Sequence, residues 1–428
     1  MKISCALSMT LFFCTLPFCY AASADSSWSL LLKNSASQEA RSLRQTSDGG
    51  FIIGMTANVT RQANPGIRLV IVKTTSSGIV QWEKEYGRGS FSAIRQLKSG
   101  KYIALAEHPE RIGTGVDSSM IILMLDANGN VEWQETSAIG FTPIGVEEGP
   151  DESLFVYGYS SAYDGAAFLI KLQSDGEIVW QKRFGKYIGD ISAAFRFTGD
   201  GDAFFAFPGT LHEYHVYKLN LDGKIIWKRF YKTSIFAAST FQSLEVTKDG
   251  GFMISEGLPL VSKYDKNGNP VWSKFYSTST MAVVRSLVVD KNGNTLLVGQ
   301  IGTVNGHPDV WLLKIDKSGN ILWHKRVGRS FVDRARDVAL TKDNHFIIAG
   351  QLGRGKFAGS NAWMLNLNQT GTLNNSCDFA VNEVPSQTEN PQLVRLQPAT
   401  EMQKTNIQLQ YTSPSQGDWK TIPVFDCN

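Results

Sequence analysis

Residues Val310–Lys325 read V-W-L-L-K-I-D-K-S-G-N-I-L-W-H-K, and this stretch decides the fold. Trp311 to Ile315 is apolar and largely branched, as suits a mostly buried strand. Asp316-Lys317-Ser318-Gly319 interrupts the run. Aspartate opens a turn by accepting hydrogen bonds from the backbone ahead of it, and glycine takes the positive φ that other residues resist. A type I turn closed by a left-handed glycine fits the spacing. Ile321-Leu322-Trp323 resumes the apolar pattern, so the stretch is an antiparallel hairpin.

The hairpin recurs at Leu125–Trp133, Leu172–Trp180, Leu219–Trp227 and Tyr264–Trp272, with a looser copy at Val72–Trp82. The closing tryptophans are Trp82, Trp133, Trp180, Trp227, Trp272 and Trp323, spaced 51, 47, 47, 45 and 51 residues apart. A period near fifty signals an array or a closed ring of small sheets. A second signature, S-L-R-Q-T-S-D-G-G-F-I-I-G at Ser42–Gly54, recurs near Leu244, Leu287 and Val338, and in degenerate form near Ile94, Gly145 and Ala194. Each copy reads strand, glycine-rich turn, strand. One repeat thus holds four strands, the content of a propeller blade.

Counting gives seven blades with strands A to D, A lying at the central channel. The seventh has A (Arg336–Thr341), B (Phe346–Gly350) and C (Ala362–Leu367) but no tryptophan strand after them. Trp28–Lys33 resembles the missing strand and precedes the first A strand, so the N-terminus is expected to close the ring. The expected fold is an all-β, seven-bladed β-propeller of four-stranded blades, with a small C-terminal β appendage. The repeated tryptophans are expected to pack between blades.

Residues 1–24 read as a signal peptide: Lys2, an apolar stretch at Leu11–Phe18, then Ala22-Ser23-Ala24 as a small-residue cleavage site. Phe18 before Cys19 argues against a lipid anchor, and no later segment is apolar for long enough to cross a membrane as a helix. The expectation is export, to the periplasm or beyond it. The propeller is assigned to 25–376 and a C-terminal β extension to 377–428. Within it, Asp378–Pro391 reads as a polar linker, and Leu393–Leu396, Ile407–Tyr411 and Lys420–Phe425 as short strands. Removing the signal leaves Cys377 and Cys427, an even pair in an exported chain, which predicts a disulfide. The formal charge of +3 argues neither for nucleic acid nor for an anionic membrane surface.

The D-x-x-G-x-x-x-W hairpins at Asp316–Trp323 and Asp265–Trp272, and the T-x-D-G-G-type hairpins at Thr247–Ile254 and Thr46–Gly54, carry a resemblance to bacterial PQQ-like and delta-60-type propeller repeats. It covers about Trp28 to Asn375. The repeat is also similar to that of the outer-membrane assembly propeller of Gram-negative bacteria, which is lipid-anchored and eight-bladed. The quinone enzymes of this type need cofactor ligands and a vicinal cysteine pair. This sequence has no such pair, so the resemblance implies the fold and no cofactor.

The A–B and C–D turns are short and stereotyped, whereas the B–C and D–A connections are long and irregular and share the opposite face. Variable loops over a rigid scaffold are where binding residues gather. Tyr187, His212, Tyr214, Asp309 and Asp333 fall there, as a ligand surface or as ordinary loop residues. Aligning the A strands places Arg41, Arg285 and Arg336 at one repeat position, with Gln242 its equivalent in blade 5. Either these guanidiniums converge on an anion at the channel mouth, or they turn sideways onto Glu39, Asp333 or Asp337. The run His212-Glu213-Tyr214-His215 lacks helical metal-ligand spacing, and on a strand residues three apart face opposite ways. The calcium-like D-x-N-G-N runs at Asp126 and Asp265 belong to the repeated turn, so no metal is expected. No nucleophile elbow, P-loop or cysteine nucleophile appears. Two function classes remain. One is an exported, non-enzymatic binding or scaffolding propeller for a protein or glycan, acting through the B–C/D–A face. The other is a carbohydrate-active or related enzyme with its site on that face.

Overall fold

The computed structural model describes residues 27–372, apart from 34–35, 60–65, 113–114, 162–164, 186–191, 210–212, 234–240, 279, 303–306, 329–330 and 355–358. Beyond 372 it describes five short strands. Seven antiparallel sheets form the blades of a propeller. Blade 1 is Ser37–Gln45, Phe51–Val59, Gly66–Thr74 and Val80–Arg88; blade 2 is Ser90–Gln96, Tyr102–Ile112, Gly115–Leu125 and Val131–Ile139. Blade 3 is Phe141–Glu148, Leu154–Ser160, Ala166–Leu172 and Ile178–Phe184; blade 4 is Ala194–Phe197, Ala203–Pro208, Glu213–Leu219 and Ile225–Thr233. Blade 5 is Phe241–Val246, Phe252–Glu256, Leu260–Tyr264 and Pro270–Ser277; blade 6 is Ala282–Val289, Thr295–Ile301, Asp309–Ile315 and Ile321–Val327. Blade 7 takes Arg334–Leu340, Phe346–Gly353 and Ser360–Leu367 from one end of the repeat and Trp28–Lys33 from the other.

The ring closes as the strand count requires. Trp28 stands opposite Asn366 and Leu32 opposite Ala362. Leu30, Leu31 and Leu32 are buried, and the Trp363 indole donates to Ser29 Oγ at 3.1 Å. This strand packs into the cores on both of its sides, Leu31 among blades 6 and 7 and Leu30 and Leu32 among blades 7 and 1.

The hairpin turns explain their own sequence. Asp316 Oδ1 accepts the backbone N–H groups of Ser318 and Asn320, both at 2.8 Å. Gly319 N donates to Asp316 O at 2.9 Å, and its φ of 79° is the left-handed value the turn needs. The same turn glycine meets the tryptophan of the preceding blade. A Cβ built on Gly319 would lie 3.0 Å from the Trp272 ring, and Trp82, Trp133, Trp180, Trp227 and Trp323 crowd Gly129, Gly176, Gly223, Gly268 and Gly371 likewise. The indole N–H groups of Trp133, Trp180, Trp272 and Trp323 donate to turn carbonyls of the next blade at 3.2–3.3 Å. The tryptophans thus lie between blades, half-buried rather than enclosed.

The C-terminal strands are laid on the ring's outer edge. Ser386–Glu389 pairs with the D strand of blade 5, inside the stretch expected to be linker. Leu393–Leu396 pairs with blade 4, Gln403–Lys404 with blade 3, Leu409–Tyr411 with blade 2, and Ile422–Phe425 with Trp28–Lys33 on blade 7. An outer D strand offers unpaired backbone groups, and strand addition satisfies them. Residues 1–26 lie outside the described residues, as do Cys377 and Cys427. No helix among the described residues is long and apolar enough to cross a membrane.

Candidate functional site

The A strands carry an irregularity that the repeat alignment does not show. In six blades the A–B register skips one residue, and the skipped residues are Arg41, Ser92, Ile144, Gln242, Arg285 and Arg336. A β-bulge sets two residues against one and re-aims a side chain out of the ladder. In blade 4 the A strand begins at Ala194, with Ala193 just before it. All seven residues line one pocket of about 360 Å³ at the channel mouth, on the face of the B–C and D–A connections. Arg41, Arg285, Arg336 and Gln242 therefore lie on one pocket wall, and two of the arginines also turn onto Glu39. The sequence does not single out Ser92 and Ile144, which only the bulge register marks, nor Ala193 and Glu107, which only the pocket wall brings in.

The arginines are partly paired. Arg41 Nε lies 2.7 Å from Glu39 Oε2, and Arg336 Nε donates to the other oxygen of the same carboxylate. Of the three candidate sideways partners, Glu39 takes two of the arginines, while Asp337 pairs with Arg44 instead, at 2.6 Å. Burial holds Arg41 below its ordinary value; Glu39 pulls the other way, and the like charge of Arg336 adds to the lowering. Arg334 is lowered too, by burial and then by Arg336.

Below the mouth, further along the A strands, the channel is crossed by ion pairs. Glu147 receives Arg95 at 2.5 Å and Arg196 at 3.1 Å, and Glu245 receives Arg196 at 2.7 Å. With Arg44–Asp337 this makes three guanidiniums and three carboxylates. Burial raises the Glu245 carboxyl against the opposing pull of Arg196. Burial would lower Arg196, but Glu245 and Glu147 together hold it well above its usual value. The floor is electrically self-compensated among the described residues, so any excess charge sits at the mouth.

Other candidates fall elsewhere. Tyr214 is core, its hydroxyl against that of Tyr264. Asp309 is a strand residue paired with Arg326 at 2.6 Å. Asp333 is fully buried and accepts Gly353 N at 2.8 Å. None of these three lines the channel-mouth pocket. Tyr187 and His212 lie outside the described residues. A smaller pocket of about 250 Å³ on the same face is walled by Ser37, His307, Phe331, Gln351 and Ser360. No cluster of three metal-ligating side chains occurs among the described residues.

No protein-family model matches the chain, and no curated protein does. Among solved structures it is similar to a protein of unknown function from Bacteroides caccae, at 15% identity and a TM-score of 0.41, covering 61% of this chain and 90% of that one. It is also similar to the Dos1 propeller, at 12% identity and a TM-score of 0.46, covering 82% and 96% of the two chains. The class defined by the seven closed blades is the β-propeller.

Proposed function

We propose that this chain is an exported, non-enzymatic binding or scaffolding propeller of the PQQ-like repeat type, recognising a protein or a glycan through its B–C/D–A face. The observation that supports this is the channel-mouth pocket, which gathers one bulged residue from nearly every blade onto that face. A scaffold that presents seven different side chains to one point is suited to recognition. The pocket wall also carries one carboxylate among its described residues, Glu107. Glycoside hydrolysis of the ordinary kind uses two free carboxyl groups; the second one at the mouth, Glu39, is taken up by Arg41 and Arg336, which favours binding over the carbohydrate-active alternative.

Probing immobilised mature protein against peptide and glycan arrays, with a panel of glycosidase substrates in parallel, tests the proposal. Ligand retained unchanged, and lost on altering mouth residues, is the expected result. Turnover of a substrate, or retention indifferent to the mouth, would count against it.

A further inference from the structure

The binding reading leaves the ligand's chemistry open, and the wall of the pocket narrows it. Three neighbouring blades, 6, 7 and 1, contribute Arg285, Arg336 and Arg41, and blade 5 continues the arc with Gln242. Across from them, blades 2, 3 and 4 contribute Ser92, Ile144 and Ala193, with Pro143 beside them. One side of the pocket is therefore cationic and rich in N–H donors; the other sets the Glu107 carboxylate and several hydroxyls around a small aliphatic surface of Pro143, Ile144 and Ala193.

The cationic side is incompletely neutralised by what is described. Arg41 and Arg336 share the carboxylate of Glu39, and Glu107 also acts on Arg41, so the three wall arginines meet two carboxylates and one net positive charge is left. Arg334 stands close enough to feel both Arg336 and Glu39. Like charges crowded into a half-desolvated mouth are costly, and an entering anion relieves that cost while taking charge-assisted hydrogen bonds. The planar guanidinium matches a carboxylate in particular, because two parallel N–H groups meet two oxygens.

Resting on the binding reading, we propose that the channel mouth holds a peptide carboxylate, either a chain end or an Asp/Glu side chain, with its small aliphatic neighbour against Ile144, Ala193 and Pro143. A uronic acid would offer the same carboxylate. Its sugar ring, however, needs an exposed aromatic face to lie on. The aromatic in the described wall is Phe91, which is 3% exposed and packed into the core between blades 1 and 2. A volume of about 360 Å³ suits one or two residues rather than a longer segment.

The test follows the arginine Nε–Hε resonances of ¹⁵N-labelled mature protein. Five probes are titrated: acetyl-dialanine as the free acid, the same peptide as its amide, an amidated acetyl tripeptide with a central aspartate, galacturonate and inorganic phosphate. Saturable shifts with the free acid or the aspartyl peptide, and none with the plain amide, are expected; which of the two binds tells a chain end from a side chain. Arg336→Gln should weaken binding about tenfold, with Arg336→Lys in between. Glu39→Gln should tighten it severalfold, since it frees two guanidiniums, and a gain of affinity is not produced by general damage.

Equal binding of acid and amide overturns the inference. So does tighter binding of galacturonate or phosphate, or weaker binding in Glu39→Gln. If the arrays find a mouth-dependent ligand but no probe responds to its carboxylate, this inference alone falls. If arrays and titrations are both empty, the binding reading falls with it.

Discussion

His215 shows how a residue that looks functional in sequence is spent on packing. Its ring lies 4.2 Å from that of Phe230 and 5.3 Å from that of Phe207, and Gly209 and Gly185 back onto it. Burial pulls its pKa down to about 4 from an ordinary 6.5. The folded state thus prefers the neutral ring. Its contribution is intact above pH 6.5 and is lost as pH falls towards 4, by up to about 3 kcal/mol. Urea midpoints at pH 7 and pH 5 should separate by more in the native protein than in His215→Phe; equal separations would refute this. The window is distinct from that of the turn aspartates. Burial would raise Asp48 and Asp249, but lysine and threonine partners hold both at about 2. Their stabilisation therefore disappears only below the ordinary carboxylate range, as pH falls from about 3.8 towards 2. The sequence made the convergence of Arg41, Arg285 and Arg336 legible through repeat alignment. It offered Glu39 as a sideways partner but not the sharing of it by Arg41 and Arg336, because that carboxylate lies 297 residues from Arg336 in the chain.

At the scale of the element, the hairpin was readable because all of its rules are local. Asp accepts, Gly turns and a run of apolar residues fills the buried strand, all within about ten positions. That the tryptophans pack between blades was readable; that each meets a turn glycine of the next blade was not, since the two come together only when blades 45–51 residues apart are in contact. Three further partners of the same kind are not marked by the repeat: Tyr86, Tyr231 and Tyr276, four residues after their tryptophans, donate to Gly129 O, Gly268 O and Gly319 O at 2.5–2.7 Å. A matched pair of substitutions separates the backbone role from the contact role. Gly100 has φ 87° and nothing within 4 Å of a built Cβ, so Gly100→Ala should cost only the left-handed penalty, about 1–2 kcal/mol. Gly319 has φ 79° with Trp272 and Lys274 at 3.0 and 2.9 Å, so Gly319→Ala pays that penalty and also displaces a ring. Gly319→Ala should lower the denaturant midpoint clearly more than Gly100→Ala. Indistinguishable midpoints would mean that the inter-blade contact adds nothing.

At the scale of the whole molecule, the chain encircles itself. After leaving blade 7 it adds an outer strand to blades 5, 4, 3 and 2 in turn and returns to blade 7. The count of seven blades and their closure were legible, being a matter of repeats and one missing strand. The encircling path was not, because strands added to an edge make backbone bonds that leave little pattern in side chains. This path gives the cysteine pair a reason. Cys377 and Cys427 are outside the described residues, but Thr372 and Phe425, five and two positions before them, are described. Ser27 Oγ donates to Thr372 O at 2.6 Å, five positions before Cys377. Phe425, two positions before Cys427, stands opposite Leu30 of the strand that Ser27 begins. Five residues reach at most about 17 Å and two about 7 Å, so the intervening chain is long enough for the two cysteines to meet. We propose that they form a disulfide, closing the outer strands into a covalent hoop around the ring. The chain-entropy model assigns a loop of about fifty residues roughly 4 kcal/mol, an upper guide because the denatured chain retains structure. Blade 7 closes independently through Trp28–Lys33, so breaking the bond should free the hoop before it opens the propeller. The intact mass of native protein should be lower than that of reduced protein by two hydrogens. After reduction, limited proteolysis should cut first beyond residue 373 and leave the blades whole. Two free thiols in the native protein would end the proposal, and first cuts inside the blades would end its account of what the hoop holds.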